Sequence, residues 1–373
     1  MDIGRKLKSA REAIGYTLET ASEKSGISAP TISAYEHCGT PTGREPKFSQ
    51  LSKLAEIYRK TIDFFLSDEL PVQNLMLWRS APDIEEQRKQ TEAEFRQLCE
   101  QYHKLELLMA EKRSIGLPHP DVTRPEQFDY IQANLLAEKT QKEFLLGDIP
   151  SMSLRQTLEE KFYVKIFHLD FSGSAISTVS EQFGPAILSN RSSKSWRRNF
   201  DLAHELFHIL TWSVFRTEAP ENAEPGPAEE KLANAFASRL LLPTDSVKNK
   251  IDSTKGADGK ISFEALDEIA REFGVSLDAL LWRTHYLYGK PVEEIDGYIE
   301  HANKMKLARP PRESDKPDKL PERYCSLAIR ALNEGKLSLM QFAKYMDMSY
   351  KQAGEYLTED EDFKDEKISI FVA

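Results

Sequence analysis

Phe200-Asp201-Leu202-Ala203-His204-Glu205-Leu206-Phe207-His208-Ile209-Leu210 decides how this chain is read. The run is largely apolar, and its spacing predicts a helix that begins near 196–200 and ends at about Trp212. His204 and His208 are four positions apart, so on a helix both imidazoles lie on one face and can grip a single ion. Glu205 projects beside them, where it can take a proton from a water on that ion. Three polar side chains in an apolar helix need compensation, and metal ligation supplies it.

A catalytic zinc usually takes three protein ligands and leaves a fourth position open. A downstream carboxylate is therefore expected, and Glu229, Glu230 and Asp245 are candidates. Glu230 is the best of them, because it shares a stripe with Ala233 and Ala237 on the next helix. Small residues there allow a close approach to the first helix. Glu229 reads instead as an acidic first turn opposing the helix dipole. Asn234, one turn beyond Glu230, can accept a hydrogen bond from a ligand histidine's second nitrogen and hold its tautomer. Two histidines and a carboxylate suit Zn2+, and they suit Mn2+ or Fe2+ as well. His285 and Tyr286 are candidates for an oxyanion donor, against the plainer reading of two half-buried residues on a helix. The other five histidines have no ligand-like spacing.

Upstream, β-type runs cover 162–169, 175–179 and 186–188, the last after Gly184-Pro185. Short strands ahead of a long helix predict an α+β domain with a small sheet. Downstream, a helix from about Ala228 to Leu242 stops at Pro243, and another over 263–273 stops at Gly274 and restarts at Ser276. The fold class expected is mainly α with a small β-sheet. Its divisions are an all-α domain over 1–70, a helical linker over 71–146, the α+β domain over 147–300 and a small helical domain over 320–360. Within the linker, Phe95, Leu98, Tyr102, Leu105 and Met109 alternate at three and four. They form either a short coiled-coil seam, which would make a homodimer, or one face packed on its own chain.

In the first seventy residues, Thr17 and Ser28 are expected helix N-caps, with Pro30 in a first turn. The stretch 339–356 echoes 18–35 and is read either as a second helix-turn-helix or as two unrelated short helices. The net charge of −10 argues against a protein that coats nucleic acid along its whole length, but it leaves room for one small DNA-reading module. Three dispersed cysteines suggest neither a disulfide framework nor a cysteine metal site. The charged N-terminus and the lack of a long apolar run predict no membrane association and a cytoplasmic location.

Arg197-Arg198-Asn199-Phe200-Asp201-Leu202-Ala203-His204-Glu205-Leu206-Phe207-His208, then Glu230-Lys231-Leu232-Ala233-Asn234-Ala235-Phe236-Ala237, then Leu240-Leu241-Leu242-Pro243, resembles the ImmA/IrrE metallopeptidase family. The resemblance covers about 150–295 and implies a zincin-like fold. It makes His204, His208 and Glu230 the metal ligands and Glu205 the base. Phe207 departs from the glycine common in the family, and a bulky side chain there would be expected to narrow the cleft. Residues 1–70 resemble Cro/lambda-repressor-type (XRE-like) helix-turn-helix domains through Leu18, Gly26-Ile27-Ser28, Thr31-Ile32-Ser33 and Glu36. DNA is then the expected partner, read by Ser28, Thr31 and Ser33. Phosphate contacts are expected from Arg5, Lys6, Lys8, Arg11, Arg44 and Lys47. Together the resemblances imply a regulatory zinc peptidase whose protein substrate is a helix-turn-helix repressor, released in a stress or mobile-element response. Two rivals are a DNA-binding regulator whose metal domain is sensory or structural, and a toxin-like component controlled by a neighbouring gene product.

Overall fold

The computed structural model describes residues 3–66, 75–111, 116–216, 224–306 and 316–354. Five helices open the chain: α1 (Ile3–Ala13), α2 (Leu18–Ser25), α3 (Ala29–Glu36), α4 (Phe48–Ile57) and α5 (Ile62–Leu66). They enclose a core of Leu7, Ile14, Ile32, Tyr35, Leu54 and Phe65. Thr17 caps α2 through its side chain, and Gly26 ends it in the left-handed region that glycine adopts without strain. Ser28 stands at the N-cap of α3 but bonds no backbone amide there, because its hydroxyl meets that of Thr31 at 2.7 Å.

The stretch expected as a helical linker begins with a strand, β1 (Leu77–Trp78), followed by α6 (Glu85–Leu108) and α7 (Tyr130–Phe144). Two residues show no alternation, so β1 left no sequence signal. The α6 seam is buried within the chain: Phe95, Tyr102, Leu105 and Met109 share a core with Phe167, Ile176, Tyr324 and Leu327. The reading of one face packed on its own chain is the one observed.

Next come α8 (Leu154–Glu160), β2 (Lys165–Leu169), β3 (Ala175–Ser180), β4 (Gly184–Asn190), α9 (Ser195–Leu210), α10 (Trp212–Phe215) and α11 (Pro227–Leu241). The sheet runs β1-β3-β4-β2, with β2 parallel to β4 and the other pairs antiparallel. It thus has four strands where sequence periodicity indicated three. Helix α9 packs on β3 and β4, and α11 packs on both α9 and α7. Ala233 and Ala237 are fully buried, and their small side chains permit the close α9–α11 approach. Phe207 sits in the core against Phe128, Phe215 and Phe236. It points into the domain, so the expectation that it narrows the cleft is corrected.

Beyond α11 lie α12 (Thr244–Thr254), α13 (Phe263–Glu272), α14 (Leu277–Tyr288) and α15 (Val292–Lys306). The turn between α13 and α14 is latched on two sides: the Asn199 amide of α9 donates to the Gly274 carbonyl at 2.9 Å, and the Ser151 hydroxyl, from the turn before α8, to the Phe273 carbonyl at 2.7 Å. Gly274 has φ +65, and a Cβ there would lie 2.7 Å from both the Asn199 amide and the Ser151 hydroxyl. The chain closes with α16 (Glu322–Asn333), α17 (Leu339–Tyr345) and helical residues 350–354; Tyr356 of the internal echo lies outside the described residues. Ser338 and Ser349 cap these last two helices, each paired with a glutamine three residues on. Their separation (338 to 349) equals that of Thr17 and Ser28 (17 to 28). Among the described residues no helix is long and apolar enough to cross a membrane.

Candidate metal centre

Helix α9 presents His204 and His208 on one face, and the first turn of α11 brings Glu230 to meet them. His204 Nε2 lies 3.2 Å from Glu230 Oε2, and His208 Nε2 lies 3.3 Å from Glu230 Oε1. The two Nε2 atoms are 3.3 Å apart. A tetrahedral zinc with ligands at about 2.0–2.1 Å sets its ligand atoms roughly 3.3–3.4 Å from one another. Each histidine nitrogen is thus at about that spacing from the other and from one of the two Glu230 oxygens, and these three residues fit the ion. Asp245, the other distal candidate, is exposed on α12.

Each histidine is held from behind. His204 Nδ1 faces Asn234 Oδ1 at 3.1 Å, and His208 Nδ1 faces Glu229 Oε1 at 2.9 Å. With Nδ1–H donating to these oxygens, both Nε2 lone pairs are free for an ion. Glu229 in turn takes the Arg216 guanidinium at 2.6 Å. Sequence reasoning missed this role, since an acidic pair in a first turn has an adequate dipole explanation. The only hint was that two adjacent carboxylates fall on different sides of the helix, so that one can ligate while the other supports.

Burial pushes His204 down to about 4. Burial also opposes charge on His208, but bonds to Glu229 and Glu230 outweigh it and hold this imidazole at about 9. Against its own burial, Glu230 is held at about 2 by the same imidazoles.

Glu205 is fully buried beside them. Burial pushes its carboxyl up to about 7, opposed by the charge of His208, the Ser177 hydroxyl and the charge of Arg79. Neither carboxylate oxygen, nor Ser177 Oγ, finds a partner of good geometry among the described residues. Buried acceptors are rarely left so, and these face the centre, where a water or substrate proton would satisfy them.

A second buried cluster adjoins the first. Asp201, one turn before Glu205, receives Arg79 at 2.5 Å, Arg197 at 3.1 Å and the Ser174 hydroxyl at 2.9 Å. Arg79 also stacks on Phe200, and its charge reaches His204, Glu205 and Glu230. It directly follows β1, the strand that had no sequence signal. His285 bonds the Lys290 carbonyl, and Tyr286 is 69% exposed on α14. The contacts of these two are those of ordinary helix residues, not of oxyanion donors.

In the N-terminal domain, Ser28 is exposed and Thr31 and Ser33 are half-buried on α3. Arg5, Lys8, Arg44 and Lys47 are exposed. Two expected phosphate contacts are spent elsewhere. Arg11 forms a two-pronged bond to Glu36, at 2.6 and 2.9 Å, and donates to the Tyr16 carbonyl. Lys6 donates to the Phe64 carbonyl at 2.7 Å and lies over that ring. Both basic residues tie α1 to the rest of the domain.

Comparison with known proteins agrees with both halves of this picture. Residues 7–65 match the sequence model of the helix-turn-helix domain, and residues 159–285 match that of the IrrE N-terminal-like domain. Over 75 residues, 20% of this chain, the protein is 36% identical to the HTH-type transcriptional regulator ImmR of Bacillus subtilis (strain 168). The match spans 56% of that relative, little more than half its length. A solved Mycobacterium tuberculosis transcriptional regulator aligns with 50% of this chain and 51% of its own at 14% identity, with a TM-score of 0.29. The chain therefore joins an N-terminal helix-turn-helix domain to a domain of the IrrE N-terminal-like family, and the His204, His208 and Glu230 cluster belongs to the latter.

Proposed function

We propose that this protein is a regulatory zinc-dependent metallopeptidase with a DNA-binding helix-turn-helix domain, and that its substrate is a helix-turn-helix repressor. The observation that carries the peptidase reading is the convergence of two imidazole nitrogens and the Glu230 carboxylate beside the buried carboxylate of Glu205. His204, His208 and Glu230 would hold the ion. Zinc held there supplies Lewis acidity, acidifying water and polarising a peptide carbonyl. Glu205, pushed up to about 7 by burial, takes the proton of the attacking water and passes it to the leaving amine. Asn234 and Glu229 fix the two imidazole tautomers. Ser28, Thr31 and Ser33 would face bases while Arg5 and Arg44 contact phosphate, bringing the peptidase to an operator where its substrate sits.

One observation favours the rival in which the metal domain is sensory: His204 and Glu205 are both 0% exposed. The two readings separate on metal content and turnover. Wild type is expected to carry about one zinc per chain, lost in Glu230→Ala. Zinc-loaded wild type is expected to cleave a helix-turn-helix repressor, and Glu205→Gln to keep zinc and operator binding without cleaving. Operator binding and zinc without any cleavage would leave the sensory regulator.

A further inference from the structure

Residues 75–80, which arrive from the side of the helix-turn-helix domain, lie along β3. Leu77 pairs with Ser177 and Trp78 with Ile176. The Arg79 amide donates to the Ala175 carbonyl at 3.1 Å and the Ser174 amide to the Ser80 carbonyl at 3.3 Å. The Thr178 hydroxyl donates to the Leu75 carbonyl at 2.6 Å. Residues opposed in an antiparallel pair share a face of the sheet, and successive residues alternate. Leu77 and Arg79 are therefore on the face of Ser177, which meets α9 and Glu205. Met76 and Trp78 face the other way, into the core shared with α6.

Leu77 is 1% exposed, yet it belongs to none of the apolar cores. An aliphatic side chain is thus buried on the sheet face that carries Ser177 and meets α9. Two positions on, Arg79 is clamped by Asp201 and directs its charge at Glu205 and Glu230. The ladder itself is only two residues long. Its upstream domain docks on α6 through Arg59 with Glu94 and Gln97, Lys60 with Glu100, and Ala93 against its core. The exposed Arg59 pair holds weakly.

We propose that residues 75–80 are an intramolecular occupant of the peptide seat of the metal centre, an extended strand on β3 that sets Leu77 beside Ser177 on the face that meets Glu205 and keeps protein substrate out. The proposal rests on the metallopeptidase reading. The seat takes an extended peptide with an aliphatic side chain at the place of Leu77. Movement of the N-terminal domain off α6 draws the strand away and opens the centre. The helix-turn-helix domain then regulates the peptidase mechanically as well as by placing it.

The test needs neither metal nor turnover, so its outcome is separate from that of the peptidase reading. Ser177→Cys in the full chain puts a thiol beneath the strand, and iodoacetamide labelling is followed by peptide mass spectrometry. With the strand intact, labelling is as slow as that of Cys99, which is fully buried in the α6 core. Adding Leu77→Asp and Arg79→Ala is expected to speed labelling of the introduced thiol by about tenfold or more, with Cys99 still protected. Equal rates with and without the strand substitutions overturn the proposal. If Cys99 also reacts, the variant has unfolded, and hydrogen exchange on the wild type decides. There the Arg79 amide is expected to exchange well before the β3–β4 ladder, and exchange of both together, only on global unfolding, overturns the proposal.

Discussion

Replacing Glu229 by alanine tests whether the second carboxylate of the α11 first turn serves the metal centre or merely opposes a helix dipole. The ligand atoms remain, and what is lost is the bond from His208 Nδ1 at 2.9 Å that aims the imidazole. Removing such a supporting partner typically costs 10- to 100-fold in metal affinity, about 1.4–2.7 kcal/mol. Here the upper end is expected. The change also strips Arg216 of its 2.6 Å partner, and that side chain is only 7% exposed. An uncompensated guanidinium beside the centre opposes a dication. Glu229→Gln retains an acceptor oxygen and should fall at the lower end, about tenfold. Glu230→Ala removes a ligand and should exceed both. The assay is competition for zinc between each intact chain and a chromophoric chelator at neutral pH, with unfolding midpoints recorded in parallel. The expected order of affinity is wild type, Glu229→Gln, Glu229→Ala, Glu230→Ala. Should Glu229→Ala bind zinc within about twofold of wild type, the support argument fails and the dipole explanation stands.

Relative to Glu205→Gln, the metal-free wild type should lose stability as pH rises from about 4.5 to 7. Glu205 has its folded value raised from 4.5 to about 7, so the native state keeps a proton that the unfolded chain has released. The contribution is about 3 kcal/mol, present below 4.5 and gone above 7; urea unfolding of wild type and Glu205→Gln across this window should diverge by that much. Arg11→Ala leaves Glu36 buried at 4% exposure without its partner, and calorimetry should show the N-terminal domain losing about 3–5 kcal/mol. A variant of unchanged stability whose DNA binding merely loses about one unit of salt slope would instead mark Arg11 as a phosphate contact. Phe207→Ala should cost about 3–5 kcal/mol through the cavity left among Phe128, Phe215 and Phe236. Zinc affinity well below wild type in folded Phe207→Ala would place that ring in the cleft after all.

Local pattern alone carried much of this protein. Spacing on one helix put His204 and His208 on a common face with Glu205 beside them, and a stripe of alanines pointed to Glu230 and its approach. Caps and turn residues marked α2, α3, α13 and α14, where short-range bonds such as Thr17 to the Thr20 amide and Ser276 to the Ala279 amide define the ends. These features depend on residues within one or two turns of each other, so they are visible without a fold. The tertiary structure decided what depends on distant partners. Glu229 became the support of His208 only because α11 is rotated to face α9. Arg11 became a clamp because Glu36, twenty-five positions away, is buried against it. Phe207 turned inward because the neighbouring aromatic rings leave it a seat there. Pairing with β3, about a hundred residues further on, brought Arg79 to the metal centre and Leu77 to the face of Ser177. A two-residue strand has no periodicity to read, and its place is set by the edge it covers rather than by its own sequence.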